Sequence, residues 1–304
     1  MSHIVHLSTQ IKSLNFPNPT MLASGVMDED AGSMKRVLAS GAGAVVTKSI
    51  GLQPRKGHPN PTFVELDCGI LNAMGLPNPG IEEYVNELKE MQDEKRYVIG
   101  SIFGSTANEF AEIAAKMSPY VAGLELNFSC PHAEGYGLEI GQKPSFVSEI
   151  TQMVTKKVDK PVFVKLSCQV NDIGSIAKAA EQAGATGIVA INTLKAMSIN
   201  LELHQPVLGN KTGGYSGKAI KPIGIRTVYE LYKQVSIPII GVGGISTGED
   251  AIEYLMAGAS GIQIGTAVYS RGVNVFHQIS LEMKKWMNDH NIQQVSELIG
   301  VAHL

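Results

Sequence analysis

Eight short runs rich in apolar and β-branched residues recur along the chain, and a segment of helical period follows each one. The runs lie at 20–24, 44–48, 97–103, 123–127, 162–167, 187–192, 237–242 and 261–265. The helical segments lie at 29–40, 81–92, 106–118, 144–157, 172–184, 222–235, 247–257 and 273–288. Strands joined by connections of this length pair in parallel, because the chain must return to the same end of the sheet before it can pair again. Eight such units predict an α/β fold, one TIM (β/α)8 barrel domain over residues 1–304. A doubly wound sheet is the alternative, and eight near-equal units with no dividing linker argue against it. Thr247 followed by Asp250 has the spacing of a capping box, and Gly184 and Gly258 stand where helices should stop.

Residues 3–18 alternate weakly and end in Asn15-Phe16-Pro17-Asn18-Pro19, which predicts a short N-terminal hairpin covering one end of the barrel. Residues 295–300 predict a last short helix on the outside, a C-terminal helical tail. Three segments, 49–80, 128–143 and 193–221, are longer than ordinary connections, and each follows a strand end.

With 44% hydrophobic and 17% charged residues the chain can bury a large core. A net charge of −3 without basic runs excludes the usual nucleic-acid footprint. The amino terminus lacks the apolar core of a signal peptide, and no stretch reaches the roughly eighteen apolar residues of a membrane span, so a soluble, cytoplasmic protein is expected. Cys68, Cys130 and Cys168 are an odd number at wide spacings. They fit neither a disulfide framework nor a zinc site, and they fall short of the four ligands of an iron–sulfur cluster. Cys68 and Cys168 are read as packing residues.

In a barrel the carboxyl ends of the strands converge on one rim. Here that rim collects Ser24, Lys48, Ser101, Asn127, Lys165, Asn192, Gly243 with Gly244, and Gly265 with Thr266. One lysine at a strand end is commonly a solvated cation, but two aimed at the same rim read as charge stabilisers. The glycines after the seventh and eighth strands stand where barrels build phosphate sites from backbone N–H groups, and their spacing is not the dinucleotide fingerprint. A mononucleotide such as FMN would suit that place. The stretch Asn127-Phe128-Ser129-Cys130-Pro131-His132, followed by Gly135, Gly137 and Gly141, carries a thiol from a buried strand to an open loop. Most lone intracellular cysteines are inert core residues, but a thiol in such a loop can meet water and substrate. Residues 71–78 offer amide groups and a turn that could close over a planar ligand, while Gly213 to Gly217 could be only flexible connection or, lying near the proposed phosphate end, part of the site.

Together these motifs resemble the class 1 dihydroorotate dehydrogenases over essentially the whole chain, and most closely the catalytic subunit of the NAD-linked class 1B. The resemblance rests on Asn72-Ala-Met-Gly-Leu-Pro-Asn78, Asn127-Phe-Ser-Cys-Pro131, Val164-Lys-Leu166, Ile191-Asn-Thr193, Thr212-Gly-Gly-Tyr-Ser-Gly217 with Ala219-Ile-Lys-Pro222, and Glu297-Leu-Ile-Gly300. It implies FMN-dependent oxidation of dihydroorotate to orotate in pyrimidine biosynthesis, with one FMN per chain at the barrel mouth. The cofactor residues it implies are Ser24, Lys48, Asn127, Lys165, Ile191 and Gly217, with Gly243, Gly244, Gly265 and Thr266 at the phosphate. Lys165 would face the pyrimidine side of the flavin. For the substrate the resemblance implies Lys48, Asn72, Met74, Gly75, Leu76, Asn127, Asn192 and Thr193, with Cys130 as general base and loop 133–141 as a lid. It also implies a homodimer or a heterotetramer, the latter with a partner subunit that carries FAD and a [2Fe–2S] cluster and passes electrons to NAD. In class 1A fumarate takes the electrons directly.

Two positions depart from the family pattern. His132 stands where most class 1 enzymes carry a substrate-binding Asn, and Cys-Pro-His followed by Gly-Tyr-Gly-Leu and Gly141-Gln142 resembles the pyrimidine-reducing domain of dihydropyrimidine dehydrogenase. Reduction of uracil or thymine is therefore the alternative activity, although 72–78 resembles the dihydroorotate enzymes. Ser101 replaces an Asn that usually approaches the flavin, which predicts an altered or water-mediated contact. A non-catalytic FMN-binding scaffold barrel is the third reading, opposed by the retention of Cys130, both lysines and the three asparagines.

Overall fold

A computed structural model describes residues 5–128 and 143–303. The expected N-terminal hairpin is β1 (Thr9–Ile11) paired antiparallel with β2 (Leu14–Phe16). Ile11 and Phe16 are buried against Met21, Val46, Ile99 and Phe163, and Thr9 Oγ1 donates to Ser260 O at 2.9 Å. The hairpin therefore plugs the amino-terminal end of the barrel with apolar side chains.

The eight main strands are β3 (Thr20–Leu22), β4 (Ala44–Val46), β7 (Val98–Ile102), β8 (Gly123–Asn127), β9 (Val162–Leu166), β10 (Gly187–Ala190), β15 (Ile239–Val242) and β16 (Ala259–Ile264). They close a parallel barrel in chain order, as expected from eight βα units. All eight expected helices form, and the one at Gly248–Met256 starts on the Thr247–Asp250 capping box.

Side chains alternate across each strand, so one set meets the helices and the other meets the barrel axis. Leu22, Val45, Leu124, Leu126, Val162 and Val164 belong to the outer core with Met34, Phe110 and Ile150. Their neighbours Met21, Val46, Ile99, Phe163, Val189 and Ile240 fill the lower barrel interior. Gly187 leaves room for Phe163, since a Cβ there would come within 2.9 Å of the Phe163 ring. One step higher along the same faces the interior turns polar, with Ser101, Glu125, Lys165 and Gln263 all buried. The barrel thus carries a dry base under a polar top.

Two of the long loops contain structure that periodicity did not predict. Segment 49–80 holds β5 (Phe63–Leu66) and β6 (Gly69–Asn72), and segment 193–221 holds β11 (Leu194–Ala196) and β14 (Gly213–Ser216). These form an antiparallel sheet in the order β11-β14-β6-β5, with Asn72 opposite Gly214 and Leu71 opposite Tyr215. Of the two readings open for Gly213 to Gly217, flexible connection is set aside: Gly213–Ser216 is a strand. Leu71, Ala73 and Leu208 give the sheet a small core of its own. A two-residue ladder joins β12 (Ile199–Asn200) to β13 (Gln205–Pro206).

The C-terminal tail is helical, but as two 3₁₀ turns, Val295–Glu297 and Val301–His303, separated by Gly300 at φ +76°. The His303 ring stacks on Tyr229 with centroids 3.9 Å apart, and its Nε2 lies 3.0 Å from the carbonyl oxygen of Ala257. Among the described residues no helix is long and apolar enough to cross a membrane.

Candidate active site

A cavity of about 660 Å³ opens at the carboxyl end of the barrel, within the range of small-molecule sites. The polar top of the barrel forms its floor, and the four-stranded sheet supplies one wall through residues such as Phe63, Glu65 and Ile70. Ser24, Lys48, Asn72, Met74, Gly75 and Leu76 line it from the first half of the chain. Asn127, Lys165, Ile191, Asn192, Thr193 and Gly217 line it from the middle, and Gly243, Gly244, Gly265 and Thr266 from the last two strand ends. Apart from Ser101, every expected site residue among those described borders this one cavity. Cys130, His132 and loop 133–141 lie outside the described residues.

One side of the cavity is ordered by a relay of amides and hydroxyls. The Thr193 N–H can only donate, and Asn192 Oδ1 accepts it at 2.7 Å. That turns Asn192 Nδ2 toward Asn127 Oδ1, at 3.5 Å, and Asn127 Nδ2 then donates to Ser49 Oγ at 3.0 Å. Ser49 Oγ also lies 2.8 Å from Ser101 Oγ and 3.2 Å from Ser24 Oγ. Both asparagine amides are thereby held in one orientation by groups on four different strand ends. Ser101 is fully buried behind Ser49 and does not border the cavity, so it takes no place on the rim; it acts on the site through Ser49.

The two rim lysines sit in different surroundings. Lys48 Nζ pairs with Glu29 Oε1 at 2.7 Å, a carboxylate that is 69% exposed. Lys165 is buried, and its Nζ donates to Glu125 Oε1 at 3.3 Å and to Gln263 Oε1 at 3.1 Å. Beside Lys48, Asp28 is also buried and accepts the Gly25 N–H, which shapes the turn after β3. Burial pushes the Asp28 carboxyl up to about 6, against the lowering influence of that N–H and of Lys48.

At the opposite end the chain passes close to itself through glycines. Gly243 and Gly244 have φ of +127° and +71°, and a Cβ on Gly244 would lie 2.8 Å from Gly217 O and from Lys221 Cβ. Asp250 holds this turn by accepting from Ser246 N at 2.9 Å and Thr247 N at 2.9 Å, and it pairs with Lys221 Nζ at 2.7 Å. Gly265 differs: a Cβ there would meet Ala23 Cβ at an ordinary 3.5 Å, so the protein leaves the adjoining space open toward the cavity. Thr266 Oγ1 donates to Ser216 Oγ at 2.8 Å and ties this end to the sheet. Across the cavity, Arg55 Nε donates to Gly75 O at 2.7 Å and Asn78 Nδ2 to Leu76 O at 3.0 Å, fixing the turn after β6.

Residues 6–287 match the dihydroorotate dehydrogenase family. The chain belongs to that family. It is 51% identical over 301 residues, 98% of each chain, to the protein of Methanocaldococcus jannaschii named dihydroorotate dehydrogenase B (NAD(+)), catalytic subunit. Proteins of the same name are 49% identical in Pyrococcus abyssi, over 97% of this chain and 99% of that one, and 48% identical in Thermoplasma volcanium, over 97% and 98%.

Several polar residues at or just beneath the cavity are not marked out by the sequence. Ser49, Glu125 and Gln263 carry no motif of their own, since a polar residue within or after an apolar run reads as solvent-facing until the closed barrel buries it. Cys68, read as a packing residue, is instead exposed at the turn between β5 and β6 and borders the cavity. Cys168 does pack against the core, and burial raises its thiol.

Proposed function

We propose that this chain is the FMN-bearing catalytic subunit of an NAD-linked dihydroorotate dehydrogenase, oxidising dihydroorotate to orotate in pyrimidine biosynthesis. The observation that carries the proposal is the convergence of Lys48, Lys165, Asn127, Asn192 and the paired glycine turns on one cavity, in a chain of this family. The donor set suits FMN. Gly243, Gly244, Gly265 and Thr266 would hold its phosphate on backbone N–H groups, and the open space at Gly265 admits a close approach. Ser24, Ile191, Gly217 and Lys48 would border the ring system, with Lys165 offering positive charge to its pyrimidine edge. FMN supplies the hydride acceptor when bound.

The remaining steps fall to the chain's own residues. Lys48, Asn72 and Thr193, with the backbone of Met74, Gly75 and Leu76, would hold the carboxylate and amide edges of the substrate. Asn127 and Asn192, locked in orientation by Ser49 and Thr193, would present matched donors and acceptors to substrate and cofactor, so no rotation is needed at the moment of reaction. Cys130 would take the proton from the ring carbon next to the hydride donor, an assignment that rests on the Asn127-Phe-Ser-Cys-Pro131 motif alone. We further propose that the electrons leave through a partner subunit with FAD and a [2Fe–2S] cluster on the way to NAD, and that the catalytic chain forms a homodimer within a heterotetramer in the cytoplasm. The relatives' printed name, a catalytic subunit linked to NAD(+), supports that arrangement for this chain.

Anaerobic mixing of the FMN-loaded protein with dihydroorotate, beside a Cys130→Ala variant, tests the reading. Fast bleaching of the oxidised flavin that collapses in the variant is expected. Bleaching by dihydrouracil but not dihydroorotate would transfer the assignment to pyrimidine reduction, the reading that His132 favours. Bleaching by neither would leave a flavin-binding scaffold.

A further inference from the structure

A closed ring of three buried side chains lies directly beneath the cavity. Lys165 Nζ donates to Gln263 Oε1 at 3.1 Å and to Glu125 Oε1 at 3.3 Å, and Gln263 Nε2 donates to Glu125 Oε2 at 2.6 Å. The amide has no choice of orientation. A carboxylate only accepts and an ammonium only donates, so Gln263 must turn its nitrogen to Glu125 and its oxygen to Lys165. Lys165 and Gln263 border the cavity, whereas Glu125 does not. Glu125 therefore makes no contact of its own with a bound molecule, and its hydrogen bonds reach the cavity through the other two.

The ring is rigid for reasons visible in the fold. Its members stand on β8, β9 and β16, and the apolar layer of Ile99, Phe163, Val189 and Ile240 closes off the barrel below. An ammonium carries three N–H donors, of which the ring takes two, leaving the third for the cavity. Glu125 and Gln263 act on that ammonium in opposite senses. The carboxylate offsets its charge and draws it down the axis. The neutral amide holds it aside, at 3.3 Å from Glu125 Oε1 instead of in a tight ion pair.

We propose that Glu125 and Gln263 are positioning residues for Lys165, which together set how much of its positive charge reaches the ligand on the cavity floor. The proposal rests on the FMN reading above. A flavin gains negative charge on reduction, so the charge delivered by Lys165 decides how much more tightly the reduced cofactor is held than the oxidised one.

The test is an anaerobic redox titration of the FMN-loaded protein, with the midpoint potential giving the ratio of affinities for reduced and oxidised cofactor. Glu125→Gln removes the counter-charge and should raise that ratio about tenfold, about 30 mV for a two-electron couple. Gln263→Met lets the ammonium fall onto Glu125 and should lower the ratio several-fold. In a Lys165→Met background the Gln263→Met shift should vanish and the Glu125→Gln shift should shrink, leaving only the direct field of the carboxylate. A merely structural role would not move the potential in opposite directions. Unchanged potentials in folded variants, or shifts of undiminished size without Lys165, overturn the proposal. If Glu125→Gln does not fold, Gln263→Met decides alone: a fall that needs Lys165 supports the proposal, and no change overturns it. A parent protein that takes up no FMN is recognised before any variant is compared, and overturns the cofactor reading and the proposal with it.

Discussion

Asn127 and Ser49, 78 residues apart, are joined by a 3.0 Å hydrogen bond from Nδ2 to Oγ. Ser49 in turn touches Ser24 and Ser101, so one hydroxyl connects the ends of four strands. Ser49→Ala would take from the buried Ser101 hydroxyl its hydrogen bond to Ser49 and from Asn127 the contact that fixes its amide on this side. Unmet buried polar groups cost about 1–3 kcal/mol. A stability loss of that size in urea unfolding is expected, with a fall of about tenfold in kcat/KM as Asn127 loses its fixed orientation, a change of about 1.4 kcal/mol.

Gly244 and Gly265 separate fold from ligand binding. Gly244→Ala forces a Cβ onto a φ of +71° and within 2.8 Å of Gly217 O, so it should lower both the melting temperature and FMN content. Gly265→Ala meets only ordinary contacts. It should leave the melting temperature unchanged while FMN affinity, read by fluorescence titration, drops at least about tenfold, because a methyl group would occupy the space a ligand needs. One tenfold is about 1.4 kcal/mol.

Lys48 and Glu29 form an ion pair whose acid is mostly in water. Exposed pairs contribute about 0–1 kcal/mol, so Glu29→Gln should change stability by no more than that. Lys48→Met should leave stability near the parent value but weaken dihydroorotate binding. Losing a charge-assisted bond to a carboxylate costs about 1.5–3 kcal/mol, about 10- to 150-fold in kcat/KM.

Asp28 makes stability depend on pH in a direction opposite to most carboxylates. Its folded value of about 6 lies above the ordinary 3.8. Below pH 3.8 both folded and unfolded chains hold the proton and the group contributes nothing. Between about 4 and 6 the unfolded chain ionises first, so stability falls as pH rises, and above about 6 the full cost remains. That cost is on the order of 3 kcal/mol, at about 1.4 kcal/mol per pK unit. Asp28→Asn, whose side-chain oxygen can still accept the Gly25 N–H, should therefore be stabilised relative to the parent at pH 7 and nearly equal to it at pH 4, by denaturation at both values.

Those parts of the fold that depend on neighbours along the chain are legible in the residues alone. The period of the apolar runs, the Thr247–Asp250 box and the stops at Gly184 and Gly258 specify eight βα units. A barrel then carries strand ends such as Lys48, Asn127, Lys165 and Gly243 to one rim without further information. The alternation that hides Ile11 and Phe16 was likewise readable in the N-terminal hairpin.

The remaining features follow from contacts between distant segments. The sheet over the cavity is built from strands of three or four residues, too short to show a period, and its central pairing joins Asn72 to Gly214 across 142 residues. Gln263 reaches Glu125 across 138 residues of sequence. Nothing near either residue distinguishes it from an exposed polar side chain. Closure of the barrel brings them together away from water, where a carboxylate, an amide and an ammonium must satisfy one another.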